Sequence, residues 1–520
     1  MSSVTPSTAL SIPYDLRKSL TEIIPACPGQ ASVASLTAYV SWQIVSQAPS
    51  SRQDDAPWDF RGVSRRKLAE HGLADKLHRA AHTSLEKLAR TACETPRWDE
   101  LRSLARRIRL HALTHLDHYV GEFSEALERN GGAVSWADSA ADACRAVVDL
   151  ARACGVRRVI KAKSMVSEEI HLNQALSDAG IEPVETDFGE MICQLAGEMP
   201  GHVTAPIMHW SIEEVARLLV RCGVLDEMPP ELAGAGAPAG RLAAARRLVS
   251  AARRRLRDSF LTAEMGVTGA NFAVAESGSL VLVENEANIR LTTSLPPVHV
   301  AIVGIEKIVA RISDLGVLLT LLAPSATGQR QSCYTSIIHR PLRRLHVVLL
   351  DNGRSKVLAD REQFDLLSCI RCGACMNVCP VYRHASGAAY GGVYPGPIGA
   401  VLMPHLGGTQ RFAQLPFASS LCGACGDVCP VGIPLPERLL QWRRRLVADG
   451  LRPAGEGLAF AAWAWLMQHP SLYRAARPPA EWIDAVVPIL PRLRNWTIGR
   501  AWPAAANEIF SQRWRREHPE

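Results

Sequence analysis

Seven of the fourteen cysteines fall in one short stretch, Cys369 to Cys429, and their spacing dictates what they can bind. The first block runs Cys369, Cys372, Cys375, Cys379 and then Pro380, a C-x2-C-x2-C-x3-C-P run of the bacterial ferredoxin type. Three thiolates in a tight winding loop reach three irons of one cube. The fourth enters a helix, points away and serves a second cluster. Gly373 and Ala374 are small enough to let backbone N–H groups approach inorganic sulfur. The second block is Cys422, Cys425, Cys429 and Pro430. Aligned on its Cys-Pro end it is the same motif, with Ser419 in the place of the first cysteine.

The crossed arrangement allots Cys369, Cys372, Cys375 and the distant Cys429 to cluster one, and Cys379, Cys422 and Cys425 to cluster two. The expected cofactors are therefore two iron–sulfur clusters, at least one of them [4Fe-4S]. The second is [4Fe-4S] or [3Fe-4S], because one of its corners lacks a local cysteine. That corner is left as a three-iron cluster, or filled by Ser419, water, a substrate oxygen or a partner group, or by a remote thiol such as Cys333. An open iron can act as a Lewis acid, although simple electron relay carries more weight. Zinc is the structural alternative, but zinc sites want four ligands in two C-x2-C knuckles, and seven cysteines in this order fit one or two zincs poorly. The other seven (Cys27, Cys93, Cys144, Cys154, Cys193, Cys222 and Cys333) lie singly, unlike the disulfide framework of a small secreted chain.

The elements that must position these thiols come from a chain of 520 residues, 47% hydrophobic and 21% charged, a composition that excludes wholesale disorder. Net charge is +7, but 51 acidic residues are interspersed and Lys supplies only 8 of the 58 basic residues, so nucleic acid is not an expected partner. No apolar run reaches the length of a membrane span, and the first residues show no basic stretch leading into an apolar one. The expected location is the cytoplasm, where thiols stay reduced, with peripheral placement at the inner membrane face as a variant.

Residues 1–63, with Pro13, Pro25, Pro28, Pro49 and Pro57, read as an N-terminal extension. Residues 64–131 read as a helical lead-in. Leu101, Leu104, Ile108 and Leu110 recur at helical period, and His111, His115 and His118 lie on a solvated face. From Gly132 short apolar strands alternate with amphipathic helices, which implies an α/β domain with a largely parallel sheet. Strands are expected at 133–136, 158–162, 182–185, 272–275, 279–284, 298–304 and 346–350. Helices are expected at 137–154, 168–179, 241–260, 306–312 and 313–322. Residues 351–440 hold the two cysteine blocks. Residues 441–520 form a tail with seven of the 12 Trp, read as irregular and packing on the cluster domain or a partner.

At several stretches the chain resembles a known family, lactate utilisation protein B, the iron–sulfur subunit of bacterial L-lactate oxidation. The matching text includes Lys163–Glu169, Val184–Glu190, Val267–Leu280, Asp351–Ser355, Cys379–His384, Gly396–Leu402 and Ser419–Cys422, and runs from about residue 65 to the end. The resemblance implies an α/β LUD domain (132–350), similar to the sugar-isomerase and CoA-transferase group. An α-helical two-cluster ferredoxin-type domain and a family-specific tail follow it. It also implies that Ser419 is the family's own pattern. As function it implies electron transfer in oxidising L-lactate, or a similar 2-hydroxy acid, to pyruvate; the alternatives are a catalytic subunit that binds the hydroxy acid at an open iron, or a redox-responsive scaffold of the complex. The implied partners are a cysteine-rich subunit, a second LUD-domain subunit and a downstream electron acceptor. The first 60 or so residues lie outside this pattern.

Within the LUD segment, Glu276, Asn285, Asn288 and Arg290 are candidates to line an anion pocket. Ser167 reads as a helix cap with Glu168 and Glu169 in the first turn after Ser164, and His209 and His299 as core-edge histidines. No Ser-His-Asp order, Walker loop or GxGxxG is present, so no catalytic residue is assigned.

Overall fold

The strands at 298–304 and 344–350 are apolar on both faces, which suits strands covered by helices on either side. In the computed structural model, which describes residues 56–232, 238–452, 454–475 and 510–519, they are adjacent interior strands of a parallel sheet. The strands are β1 (Ala133–Ala137), β2 (Arg158–Lys161), β3 (Glu182–Glu185), β4 (Met265–Thr268), β5 (Phe272–Val274), β6 (Ser279–Glu284), β7 (Val298–Gly304), β8 (Ile308–Val309), β9 (Tyr334–Ile338) and β10 (Arg344–Leu350). The main sheet has the order β1-β10-β7-β4-β2-β3, all pairs parallel. A second sheet, β8-β5-β6-β9, is mixed.

The helices Ala140–Ala153 and Leu172–Asp178 cover one face of the main sheet through Val147, Leu150, Leu172 and Leu176, packed on Val159, Val267 and Ile302. Leu116–Arg129 covers the other face through Val120, Phe123 and Leu127, against Val303 and Val347. Burying a Leu or Phe in such a layer stabilises by roughly 1.5–3 kcal/mol per side chain. A third core joins the helices Phe188–Ala196, Ile212–Arg221 and Pro238–Thr262 through Ile192, Leu219 and Leu248.

Several expectations need correction. Central strand β4 is absent from the sequence reading because Gly266 interrupts its apolar run. A Cβ there would stand 2.0 Å from the Thr292 carbonyl oxygen, so a close backbone approach requires the glycine. The helix expected over 306–312 is instead a 3-10 turn, Ile305–Lys307, followed by β8, because Ile308 and Val309 pair with β5. The helix expected over 168–179 is two helices, Met165–Glu169 and Leu172–Asp178, broken at His171, whose φ of 53° lies in the left-handed region. β9, and with it the second sheet, was not anticipated: its Tyr-Thr-Ser-Ile-Ile text is half exposed and pairs along a sheet edge.

The helix Trp98–Thr114 buries Ala105, Arg109, Ala112 and Leu113, while Leu101, Leu104, Ile108 and Leu110 are half-buried. His111, His115 and His118 are exposed. At the N-terminal side, Trp58 donates from Nε1 to the Ala389 carbonyl at 2.8 Å, and Phe60 packs edge-on against Tyr390. The end of the expected extension is therefore anchored; residues 1–55, with Cys27 and most of its prolines, lie outside the described residues.

Of the described residues, those up to Arg445 form one compact unit and those from Leu446 onward a second. The tail expected to be irregular is helical over Ala454–Met467, Pro470–Ala475 and Phe510–Glu517; in the first of these Ala and Leu, strong helix formers, outweigh the two tryptophans. Trp482, Trp496 and Trp502 lie outside the described residues. Among the described residues no helix is long and apolar enough to cross a membrane.

Candidate iron–sulfur site

Each cysteine block folds as the same turn. In the first, Arg371 (φ 59°) and Gly373 (φ 81°) take left-handed conformations around Cys372, and the short helix Ala374–Val378 follows. In the second, Leu421 (φ 57°) and Gly423 (φ 91°) do the same around Cys422, ahead of Ala424–Asp427. Such winding presents successive N–H groups and thiols to one centre. Cys379 then caps Pro380–Ala385, with Pro380 at the first helical position, where its missing N–H costs nothing.

Cys369, Cys372, Cys375 and Cys429, three from one block and one from the other, line a single cavity closed by Val203, Ile398 and Ile433. The Arg371 N–H donates to Cys369 Sγ at 3.4 Å and the Ile433 N–H to Cys429 Sγ at 3.3 Å. The Cys372 and Cys375 thiols accept from the backbones of Ala374 and Ile398. Burial, then the neighbouring Cys369, pushes the Cys372 and Cys375 thiols upward, and burial raises Cys429 to about 11. Closely spaced buried thiols of this kind are costly to ionise unless a cation compensates them, while the N–H donors are arranged for the ionised form. The donor set therefore suits a cationic iron–sulfur cage.

Cys379, Cys422 and Cys425 form the second set. Burial first, and then Cys379 and Cys422, raises the Cys425 thiol to about 12. Burial, opposed by the N–H groups of Tyr382 and Val381, raises Cys379. The buried Tyr390 hydroxyl lies beside Cys379 and favours its ionised form. Cys422 is exposed. Ser419 stands two residues before the positive-φ Leu421 and accepts its N–H at 3.1 Å. Cys333 is exposed just ahead of β9.

Sequence reasoning missed the residues that hold these loops. Three arginines on one face of Trp98–Thr114 grip them. Arg102 donates to the Cys429 carbonyl at 3.0 Å, Arg106 reaches the Gly432 carbonyl and Asp365, and Arg109 donates to the carbonyls of Glu306, Ile308, Leu367 and Ser368. Arg109 is 1% exposed, and burial lowers it to about 10, still charged at neutral pH. The only sequence signal was Arg at i, i+4 and i+7, which reads equally as a solvated stripe.

A second cluster of charge joins the α/β sheet to the first cysteine block. Arg354 binds Glu169 with two bonds of 2.8 and 2.9 Å and Glu306 at 2.5 Å. Asn352 and Tyr394 also donate to Glu169, each at 2.7 Å. Arg371 pairs with Glu306 at 3.4 Å and lies over the Tyr394 ring. Burial opposes ionisation of Glu306, but Arg354, Arg371 and Lys307 overcome it and hold the carboxyl at about 2. Glu169 is thus an ion-pair partner and not a first-turn acid. Ser164, not Ser167, is the cap; Ser167 is buried and accepts from Lys161 Nζ at 3.0 Å.

A larger cavity, about 280 Å³, lies outside the carboxyl ends of β2, β3, β4 and β7. Asn285 and Asn288 line it, as do Lys163, Lys307 and Arg371. Glu276 instead accepts from the Ile312 N–H, and Arg290 lies over Tyr334, so neither belongs to the lining. His299 is buried against Thr268 Oγ1 at 2.8 Å, and His209 faces Glu198.

An α/β domain whose strand ends abut a pair of ferredoxin-type cysteine turns defines the class: an LUD-domain protein with a 4Fe-4S dicluster domain. Family models agree: the LUD domain matches residues 120–353, the 4Fe-4S dicluster domain 365–433, and lactate utilisation protein B, C-terminal, 445–518. The chain belongs to the lactate utilisation protein B family. It is 40% identical to lactate utilization protein B of Shouchella clausii over 88% of this chain and 96% of that one. It is 41% identical to an uncharacterized electron transport protein, YkgF, of Escherichia coli over 82% of this chain and 89% of that one. A crystal structure of a DUF162 family protein from Deinococcus radiodurans shows 14% identity over 45% of this chain and 98% of its own, with a TM-score of 0.23, too slight a likeness to inform the fold.

Proposed function

We propose that this chain is the iron–sulfur electron-transfer subunit of a system that oxidises L-lactate, or a similar 2-hydroxy acid, to pyruvate. The observation that carries the reading is the cavity lined by Cys369, Cys372, Cys375 and Cys429, whose ligands come from both blocks and so tie two cluster sites together. Bound there, iron–sulfur clusters supply one-electron transfer at potentials tuned by burial and N–H···S bonds. The residues of this chain exclude water through Val203, Ile398 and Ile433, donate N–H groups to the thiolates, and fix both loops through Arg102, Arg106 and Arg109. Cys379, Cys422 and Cys425 are the proposed ligands of the second cluster. The family name and the electron-transport description of the Escherichia coli relative support the reading.

In this reading, a cysteine-rich subunit and a second LUD-domain subunit are its partners. Electrons leave to a downstream acceptor, and the chain works in the cytoplasm. The test is to follow the iron–sulfur absorbance of the anaerobic chain after adding L-lactate. Bleaching only when the partner subunits are present supports relay. Bleaching of the chain alone contradicts it.

A second reading rests on Ser419 and the exposed Cys422: the second cluster keeps one iron without a thiolate, open to an oxygen ligand. A shift of its spin-resonance signal on adding a hydroxy acid to the chain alone supports this, and an unchanged signal removes it.

A further inference from the structure

The large cavity holds charges that the proposed electron path does not use. Lys163 Nζ and two nitrogens of Arg371, Nε and Nη1, are buried without hydrogen-bond partners. The nearest carboxylate to Lys163 is Glu190 at 3.8 Å, beyond hydrogen-bond reach. Lys307, 7% exposed, has no carboxylate within salt-bridge distance among the described residues. Three cations therefore line one cavity with donors to spare. Leaving buried donors unmade costs about 1–3 kcal/mol each, more for charged groups, so an arrangement of this kind is suited to a bound anion.

We propose that this cavity binds a small organic carboxylate, its carboxylate held by Arg371 and Lys307 with Lys163 beside them. The wall also carries Asp187, Glu284 and Glu286, which offset the cations and disfavour a multiply charged phosphate. Asn271 and Thr268 supply neutral groups for a hydroxyl or carbonyl next to the carboxylate. The position is where ligands collect in open α/β sheets, outside the carboxyl ends of the strands.

The cavity also abuts the cysteine site. Arg371 and Val203 line both, so an anion on Arg371 sits one side chain away from the four-thiol cavity. The naming of a hydroxy acid as ligand rests on the function proposed above; the preference for a carboxylate rests on the cavity alone.

The experiment is calorimetric titration of the full, cluster-loaded chain under anaerobic conditions with L-lactate, pyruvate and inorganic phosphate. Iron content is measured in every sample. Saturable binding of L-lactate or pyruvate is expected, with phosphate weaker. Lys307→Met and Lys163→Met are each expected to weaken it by about tenfold, the loss of about 1.4 kcal/mol, without loss of iron. Ala326→Trp, which fills the cavity from the helix Asp314–Thr327 and removes no charge, is expected to abolish binding and serves if a lysine variant fails to fold. Absence of saturable binding, phosphate binding tighter than either carboxylate, or binding unchanged in both Lys307→Met and Ala326→Trp overturns the proposal. Binding by a chain that carries no iron leaves the site standing and removes the electron-transfer reading. An iron-loaded chain that does not bind does the reverse.

Discussion

Ser419 occupies in the second cysteine turn the place that Cys369 occupies in the first. Each accepts the N–H of a positive-φ residue two positions on: Leu421 to Ser419 Oγ at 3.1 Å, and Arg371 to Cys369 Sγ at 3.4 Å. The backbone that would aim a fourth ligand is therefore present where the thiol is not. The site is asymmetric in chemistry while nearly symmetric in conformation.

Ser419→Cys places a thiol at that corner without altering the turn. The expected outcome is a second cluster fully ligated by cysteine, seen as a gain in iron per chain or as a changed spin-resonance signal from cluster two alone. An unchanged spectrum and iron count would show that Ser419 does not face the cluster.

Cys379→Ser tests the crossed wiring. Although Cys379 belongs to the first block, it belongs in space with Cys422 and Cys425. Spin resonance of the variant is expected to show the second cluster lost or altered and the first retained, and Cys429→Ser to show the opposite. Loss of the first cluster alone in Cys379→Ser contradicts the assignment.

Arg109→Met removes the donor shared by four buried carbonyls. With about 1–3 kcal/mol for each polar group left unmade, and some relaxation, a loss of more than about 3 kcal/mol is expected in anaerobic denaturant unfolding. Arg109→Lys is not expected to rescue it, because a lysine presents fewer donors from one point. A loss under about 1 kcal/mol in Arg109→Met contradicts the clamp role.

Glu190 sets a pH dependence. Burial, only partly offset by Lys163, raises its carboxyl from 4.5 to about 8. Between those values the folded state binds more protons than the unfolded one, so this group makes stability fall as pH rises through that window. Glu190→Gln is expected to melt higher than the parent at pH 8 and equally at pH 5. The reverse order of melting temperatures at pH 8 contradicts the burial of an ionisable acid there.

The cysteine blocks and most strands were legible in the sequence because each is a local signal: fixed spacing for the thiols, short apolar runs for β6 and β7. What was not legible depends on residues far apart in the chain. β4 carries a glycine forced by Thr292, and the second sheet needs β9, some fifty residues beyond β6. The Lys163–Glu169 and Asp351–Ser355 segments carry family-like text, but only the fold shows why: Glu169, Asn352 and Arg354 meet in one buried ion cluster. Arg371 was hidden inside the cysteine motif itself, where attention falls on the thiols. Asn285 and Asn288 line the larger cavity, as their loop suggests, but Glu276 and Arg290 do not, and the cavity's cations come from the ends of β2 and β7 and from the cysteine turn, which periodicity cannot connect.

The most direct test of the central claim is iron, acid-labile sulfide and zinc quantitation on anaerobically purified chain, with spin resonance of the reduced sample. The account predicts brown protein with about seven to eight irons per chain, matching sulfide, and two interacting cluster signals. Colourless protein carrying zinc and no labile sulfide would contradict it.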